Sequence, residues 1–217
     1  MSQCGRTGTV ARCASETWPA SSDQPRVNDP HAAAAAVAAG DIDATFRTVT
    51  NSATLPRDVH MTHVLDSPTQ LLVGPRHPLA KAKTLTPRQL RGHRIWVPGI
   101  TPRSEWQLFY EELAEEFDLH IDAAGPHFGD EVLLDTLAES AEIATLVGSR
   151  DRYIWPTKHD LRRIPISKPT LVYPVSLIQR TPPHPELAAV IQHFMALEAA
   201  ATPSWRPSWT SGVGADR

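Results

Sequence analysis

The fold of this chain is decided by the stretch Leu71-Leu-Val-Gly-Pro-Arg-His-Pro-Leu-Ala80, which continues through Thr84-Leu-Thr-Pro-Arg-Gln-Leu90 to Arg94-Ile-Trp-Val-Pro98. Its first apolar residues predict a strand that ends at a Gly-Pro turn. Thr86 is placed to cap a short helix, because a proline follows it at the first helical position. Ile95 lies in a second apolar run. The stretch is therefore predicted to form strand, turn, short helix and strand, which is a compact α/β unit.

Helices and strands alternate on both sides of this stretch. An alanine-rich helix ends at Gly40, and the longest amphipathic helix, 104–117, carries an apolar face formed by Trp106, Phe109, Tyr110, Leu113 and Phe117. Further strands are predicted near 41–46, 62–65, 119–121, 143–147, 161–166 and 171–178, and further helices from 130 and from 185. This alternation predicts parallel sheets with crossover helices.

The composition is that of an ordinary globular protein. Of the 217 residues 41% are hydrophobic and 21% charged, and the net charge is −3. No strong positive charge favours nucleic acid or an anionic membrane. There is no apolar run long enough to cross a bilayer and no secretion signal, so a cytoplasmic location is expected. The two cysteines, Cys4 and Cys13, do not indicate a disulfide framework or a metal site.

Both ends of the chain are predicted to be disordered. Residues 1–30 and 201–217 are rich in small and polar residues and show no apolar period. The folded body is therefore expected to extend over residues 31–200.

The sequence contains no recognisable catalytic signature. Gly-x-Ser-x-Gly, a phosphate-binding glycine loop and His-Glu-x-x-His are all missing from it. His60 and His63 are best explained as surface residues and His77 as a turn residue. We therefore expect a protein that is not an enzyme and that needs no cofactor and no metal.

The most suggestive polar cluster is formed by Thr101, Arg103 and Ser104 at the start of the amphipathic helix. A helix N-terminus presents unpaired N–H groups, and an arginine adds a bidentate donor for a carboxylate or a phosphate. The alternative is an ordinary helix cap beside an exposed arginine.

Two further pairs are candidates for the same ligand. Arg47 and Thr48 follow a predicted strand, and ligands of open parallel sheets lie beyond the carboxyl ends of strands. Phe128 and Gly129 could supply an apolar wall and a close backbone approach. Simple turn formation and core packing are the alternative for this second pair.

The order of several segments resembles the effector-binding domain of LysR-type transcriptional regulators. The resemblance covers roughly residues 33–195, and its clearest part is the His-Pro-Leu-Ala turn with its flanking strands. Two glycines of the family are replaced here by Ser140 and Glu142. The other matching segments are 38–43, 72–98, 137–147, 173–177 and 184–187.

The resemblance implies an α/β, two-lobed, periplasmic-binding-protein-like (type 2) fold with a cleft for a small, often anionic metabolite. Lobe I would comprise about 31–93 and 176–200, and lobe II about 94–175. In the family a helix-turn-helix and a linker helix precede this domain. Neither is recognisable here, so the chain is predicted to be N-terminally truncated, with an incomplete first lobe and without direct DNA binding.

The function implied is that of an effector-binding regulatory domain of a LysR-type regulator. A separate chain could complete the first lobe, and a second copy of the chain or a partner regulator chain is a possible partner. The alternative function is a free-standing solute-binding protein of the same architecture, against which the missing secretion signal argues.

Overall fold

The computed structural model describes residues 13–14, 30–102, 104–125, 130–151, 157–182, 184–197 and 203–212. The helices are α1 (Pro30–Ala39), α2 (Glu105–Phe117), α3 (Asp130–Glu139) and α4 (Pro185–Leu197). The strands are β1 (Cys13–Ala14), β2 (Ala44–Arg47), β3 (Val59–Val73), β4 (Arg94–Trp96), β5 (His120–Asp122), β6 (Ile143–Gly148), β7 (Arg162–Pro165), β8 (Thr170–Arg180) and β9 (Ser204–Trp205). Short 3-10 helices lie at Ser52–Thr54, Pro78–Lys81, Pro87–Leu90, Thr157–His159 and Ser208–Gly212.

The described residues divide into two compact units. The first contains the residues up to Val64 together with Ser176–Leu197, and the second contains Leu65–Val175 and the residues beyond 197. The sequence-based division at residue 93 differs from this one. The stretch from Leu71 belongs to the second unit, because its apolar side chains join the same core as helix α2.

In the first unit, β2 pairs in parallel with β1 and antiparallel with the second half of β8. Helix α1 connects β1 to β2, as a parallel pair requires. Residues 13 and 14 were predicted to be disordered, and here the structure differs. A strand of two residues is too short to show an apolar period, so the sequence pattern did not reveal it.

The second unit is built on a mixed sheet in the order β7–β3–β6–β4–β5. Strand β3 is antiparallel to β6 and β7, whereas β4 is parallel to β5 and β6. The predicted parallel pairing is therefore found for β4 with β5 and β6, but not for β3. An apolar pattern records how deeply a strand is buried, and it carries no information about the direction of the neighbouring strands.

The deciding stretch lies at the centre of this second sheet. Leu71 and Val73 pack on the face covered by α2, and Leu72 packs on the opposite face with Leu134 and Leu137 of α3. Leu71, Leu72 and Val73 are all fully buried. A strand covered on both faces needs apolar residues at every position, and this explains the unbroken Leu-Leu-Val run.

The C-terminal segment 203–212 was also predicted to be disordered, but the structure contains a strand and a short helix there. Strand β9 pairs in parallel with the start of β8, and Thr170 N donates a hydrogen bond to Pro203 O at 3.0 Å. Trp205 and Trp209 pack against the main core of the second unit. Burial of these two indoles supplies the stabilisation that the polar composition of the segment does not suggest.

Candidate functional site

In the first unit, the predicted residues Arg47 and Thr48 lie at the end of β2 and are buried. The antiparallel register places Arg47 directly opposite Ser176 of β8. Residues that face each other in such a pair project to the same side of the sheet, so the guanidinium and the hydroxyl share one face. The exposed fractions are 8% for Arg47, 4% for Thr48 and 4% for Ser176. The unit thus contains a buried basic side chain and a buried hydroxyl, Arg47 and Ser176, on one face of the sheet.

Ser176 was not among the residues predicted from sequence. Its partner Arg47 is far away along the chain, and no local pattern connects the two. The one sequence feature that could have pointed to Ser176 is that it is a serine within the otherwise apolar run from Leu171 to Ile178. A hydroxyl in a buried strand requires a hydrogen-bond partner. Thr45, which is also buried, lies two residues before Arg47 and therefore on the same face.

In the second unit, Thr101 and Ser104 lie together at the start of α2. Ser104 N donates to Thr101 O at 3.1 Å, and the Ser104 hydroxyl accepts from Gln107 N at 3.2 Å. Ser104 is therefore the N-cap that the sequence predicted. The Nε2 of the Gln107 side chain donates to Glu111 at 2.6 Å, one turn further along the helix.

The electrostatics of this helix start are mixed. Glu105, in the first turn of α2, is buried with 7% of its surface exposed. Its carboxylate already provides the negative charge that a helix N-terminus favours. Three other predicted site residues, Arg103, Phe128 and Gly129, lie outside the described residues. Within the first unit Arg47 and Thr48 lie next to each other at the end of β2, and within the second unit Thr101 and Ser104 lie next to each other at the start of α2.

His77 is a structural residue of the turn. Its Nδ1 accepts a hydrogen bond from Leu79 N at 3.2 Å, which caps the short helix that follows. Burial, and to a smaller extent the nearby His93, lower the pKa of His77 to about 4. The imidazole is therefore uncharged near neutral pH.

The two other histidines of interest lie on β3. His60 is exposed and His63 is half-buried. Within the described ranges, no group of three or more histidine, cysteine or acidic side chains is arranged to hold a metal ion. No helix in the described part is both long and apolar enough to cross a membrane.

Solved structures with a similar fold are transcriptional regulators or their regulatory domains. The reduced regulatory domain of OxyR from Pseudomonas aeruginosa matches with a TM-score of 0.60 and 16% identity, over 81% of each chain. Full-length BenM matches with a TM-score of 0.61 and 18% identity, over 79% of this chain and 57% of that one. HinK, a LysR family regulator from Pseudomonas aeruginosa, matches with a TM-score of 0.57 and 11% identity, over 76% of this chain and 55% of that one.

At these identities the structures establish a shared fold. That fold is the periplasmic-binding-protein-like one expected from the sequence. No curated protein matches the chain. The model of the LysR substrate binding domain matches residues 14–198, and the match begins within strand β1, earlier than the residue 33 at which the resemblance was placed. The chain belongs to the LysR substrate-binding domain family.

Proposed function

We propose that this LysR substrate-binding domain binds a small anionic metabolite and that Arg47 and Thr48 contact it. The observation that carries the proposal is the buried pair of Arg47 and Ser176 at the end of β2, next to the buried Thr48. A guanidinium removed from water favours an oxyanion, because two parallel N–H groups match a carboxylate or a phosphate. The Ser176 hydroxyl adds a neutral donor on the same face of the sheet.

We also propose an anion contact of its own at the start of α2, within the second unit. Thr101 and Ser104 hold the first turn, and Arg103 between them would supply a positive charge. Phe128 and Gly129 would contribute an apolar wall. The buried Glu105 carboxylate limits how much negative charge this part can accept, so a ligand with a single acidic group fits it best.

The proposed activity is binding without catalysis. LysR regulators bind small-molecule effectors and act as oligomers in the cytoplasm, and we propose that this chain does so too, with a second copy or another regulator chain as partner. Binding energy alone can shift a regulator between conformations, provided that the ligand binds one of them better.

A thermal-shift screen with small mono- and dicarboxylates and phosphate esters tests this function. A ligand present at one hundred times its Kd stabilises the folded chain by about 2.7 kcal/mol, and this should appear as a clear rise in Tm. Arg47→Gln should lose the rise. Arg57→Gln, a substitution of an exposed arginine in the same unit, should keep it.

Two outcomes would contradict the proposal. The first is a panel without any stabilising anion. The second is a hit whose Kd, measured by calorimetry, is unchanged in Arg47→Gln. Arg47→Lys keeps a positive charge and should retain part of the affinity, which separates loss of the ligand contact from a general folding defect detected by circular dichroism.

A further inference from the structure

A cavity of about 390 Å³ lies entirely within the second unit. It is bounded by the short helix that begins at Pro87, by the end of α2, by the loop before β8 and by the C-terminal segment. Its volume falls in the range of about 300–1,000 Å³ that small-molecule sites occupy. The side chains that matter most for its chemistry are those of Arg88, Glu116, Phe117, Lys168 and Trp205.

The charged groups around the cavity are not neutralised by one another. Arg88 and Lys168 contribute two positive charges and Glu116 one negative charge. Across the described ranges, none of the three takes part in an ion pair. One net positive charge therefore faces the cavity, and a monoanion would complement it.

One wall of the cavity is aromatic. The Trp205 ring lies 5.6 Å from Phe117 and 5.7 Å from Phe109, measured between ring centroids, with edge-to-face geometry in both pairs. These contacts fix the indole in place while it remains half-buried at the edge of the cavity. A flat apolar ligand would find here a rigid surface to pack on.

Backbone hydrogen bonds hold the walls together. Ser167 N donates to Leu85 O at 2.8 Å on one side of Lys168, and Thr170 N donates to Pro203 O at 3.0 Å on the other. Lys168 itself has a φ of 62°, a left-handed conformation that a lysine rarely adopts. These bonds connect the segment before Pro87, the loop before β8 and the C-terminal segment, so the cavity is preformed.

We propose that this cavity is a second small-molecule site, distinct from the one that contains Arg47, and that it takes a small aromatic monocarboxylate. The carboxylate lies between Arg88 and Lys168, where it makes charge-assisted hydrogen bonds. The aromatic ring of the ligand packs on Trp205. Glu116 disfavours dianions by repulsion.

An NMR titration of the full chain with 2-naphthoate tests the site. The readout is the indole N–H signal of Trp205, which is assigned by its disappearance in Trp205→Phe. The signal is expected to shift when 2-naphthoate is added. For 2-naphthamide, which lacks the charge, the same titration is expected to give a Kd at least ten times higher. Arg88→Gln and Lys168→Gln should each raise the Kd for 2-naphthoate at least threefold.

Two controls accompany this titration. Lys83→Gln removes an exposed lysine that does not line the cavity and should leave the Kd unchanged. Arg47→Gln should also leave it unchanged, because the proposed effector contact lies in the first unit. Equal affinity for acid and amide would overturn the proposal, as would an unchanged Kd in the Arg88→Gln and Lys168→Gln double variant. A Trp205 signal that does not move at millimolar 2-naphthoate would overturn it as well.

Discussion

Gly74 shows how one residue without a side chain allows the second unit to pack. A Cβ added at this position would lie 2.1 Å from the backbone oxygen of Leu137 in α3. No rotation of a side chain can relieve that overlap, since the atom it meets belongs to the backbone. Strand β3 and helix α3 therefore approach each other through the glycine at the start of the turn.

Gly74→Ala is expected to lower the free energy of unfolding by about 3 kcal/mol or more, because β3 or α3 must shift. Urea unfolding followed by circular dichroism measures the loss. Gly92→Ala is the matched control: Gly92 has a φ of 76° but no atom within 4 Å of an added Cβ. It should cost about 1 kcal/mol through the backbone conformation alone. Equal losses in the two variants would contradict the steric explanation.

His77 predicts a pH dependence of stability. Its pKa is about 4 in the folded chain and 6.5 when unperturbed. Between these values the unfolded chain binds the proton and the folded chain does not. The free energy of unfolding should therefore fall as the pH drops from 6.5 to 4, by about 3 kcal/mol at most, and this contribution is constant above pH 6.5.

His77→Asn tests this dependence, because asparagine keeps an oxygen that can accept from Leu79 N but does not titrate. Urea unfolding at a series of pH values should give a flatter profile between pH 4 and 6.5 for this variant. His60→Asn, at an exposed position, should retain the slope of the parent chain. Identical slopes for His77→Asn and the parent would assign the effect to other groups.

At the scale of the elements, the local sequence pattern predicted which residues of a helix are buried better than it predicted which strands pair. The apolar period of α2 correctly identified Phe109, Tyr110, Leu113 and Phe117 as buried. Trp106, in the first turn, fits the same period but remains 45% exposed. Its ring packs edge-on against Tyr173 of β8, a residue remote in sequence.

The same distinction between local and remote contacts explains the candidate site. The cap at Ser104 depends on residues three positions apart and was predicted correctly. The position of Ser176 opposite Arg47 depends on strand pairing between distant segments, which no window of sequence records. The strand formed by residues 13–14 and the docking of residues 203–212 escaped prediction for the same reason.

Trp205→Ala is expected to destabilise the second unit by about 3 kcal/mol, because the indole packs against Phe109 and Phe117 in the core. Trp106→Ala removes an indole of the same size from a position that is 45% exposed and should cost about 1 kcal/mol. Chemical unfolding of both variants provides the comparison. A smaller loss for Trp205→Ala than for Trp106→Ala would show that the C-terminal segment does not contribute to the core.

At the scale of the whole molecule, the charge balance argues against DNA binding by this chain itself. The net charge is −3 and the isoelectric point is near 6.4. Binding to duplex DNA rests on many phosphate contacts from basic side chains. A gel-shift assay at 50 mM salt should show no complex with duplex DNA. A sequence-selective shift that weakens as salt is raised would contradict this expectation.

The path of the chain through the two units has a consequence for its synthesis. Strand β2 of the first unit ends at Arg47 but pairs with Ser176–Gln179. On the ribosome the nascent chain therefore carries an unpaired strand edge until the second unit has been almost completely translated. Strands β3 to β7 of the second unit are all encoded before residue 166, so they can pair with one another earlier. We expect the later-encoded unit to fold first and the earlier one to wait for it.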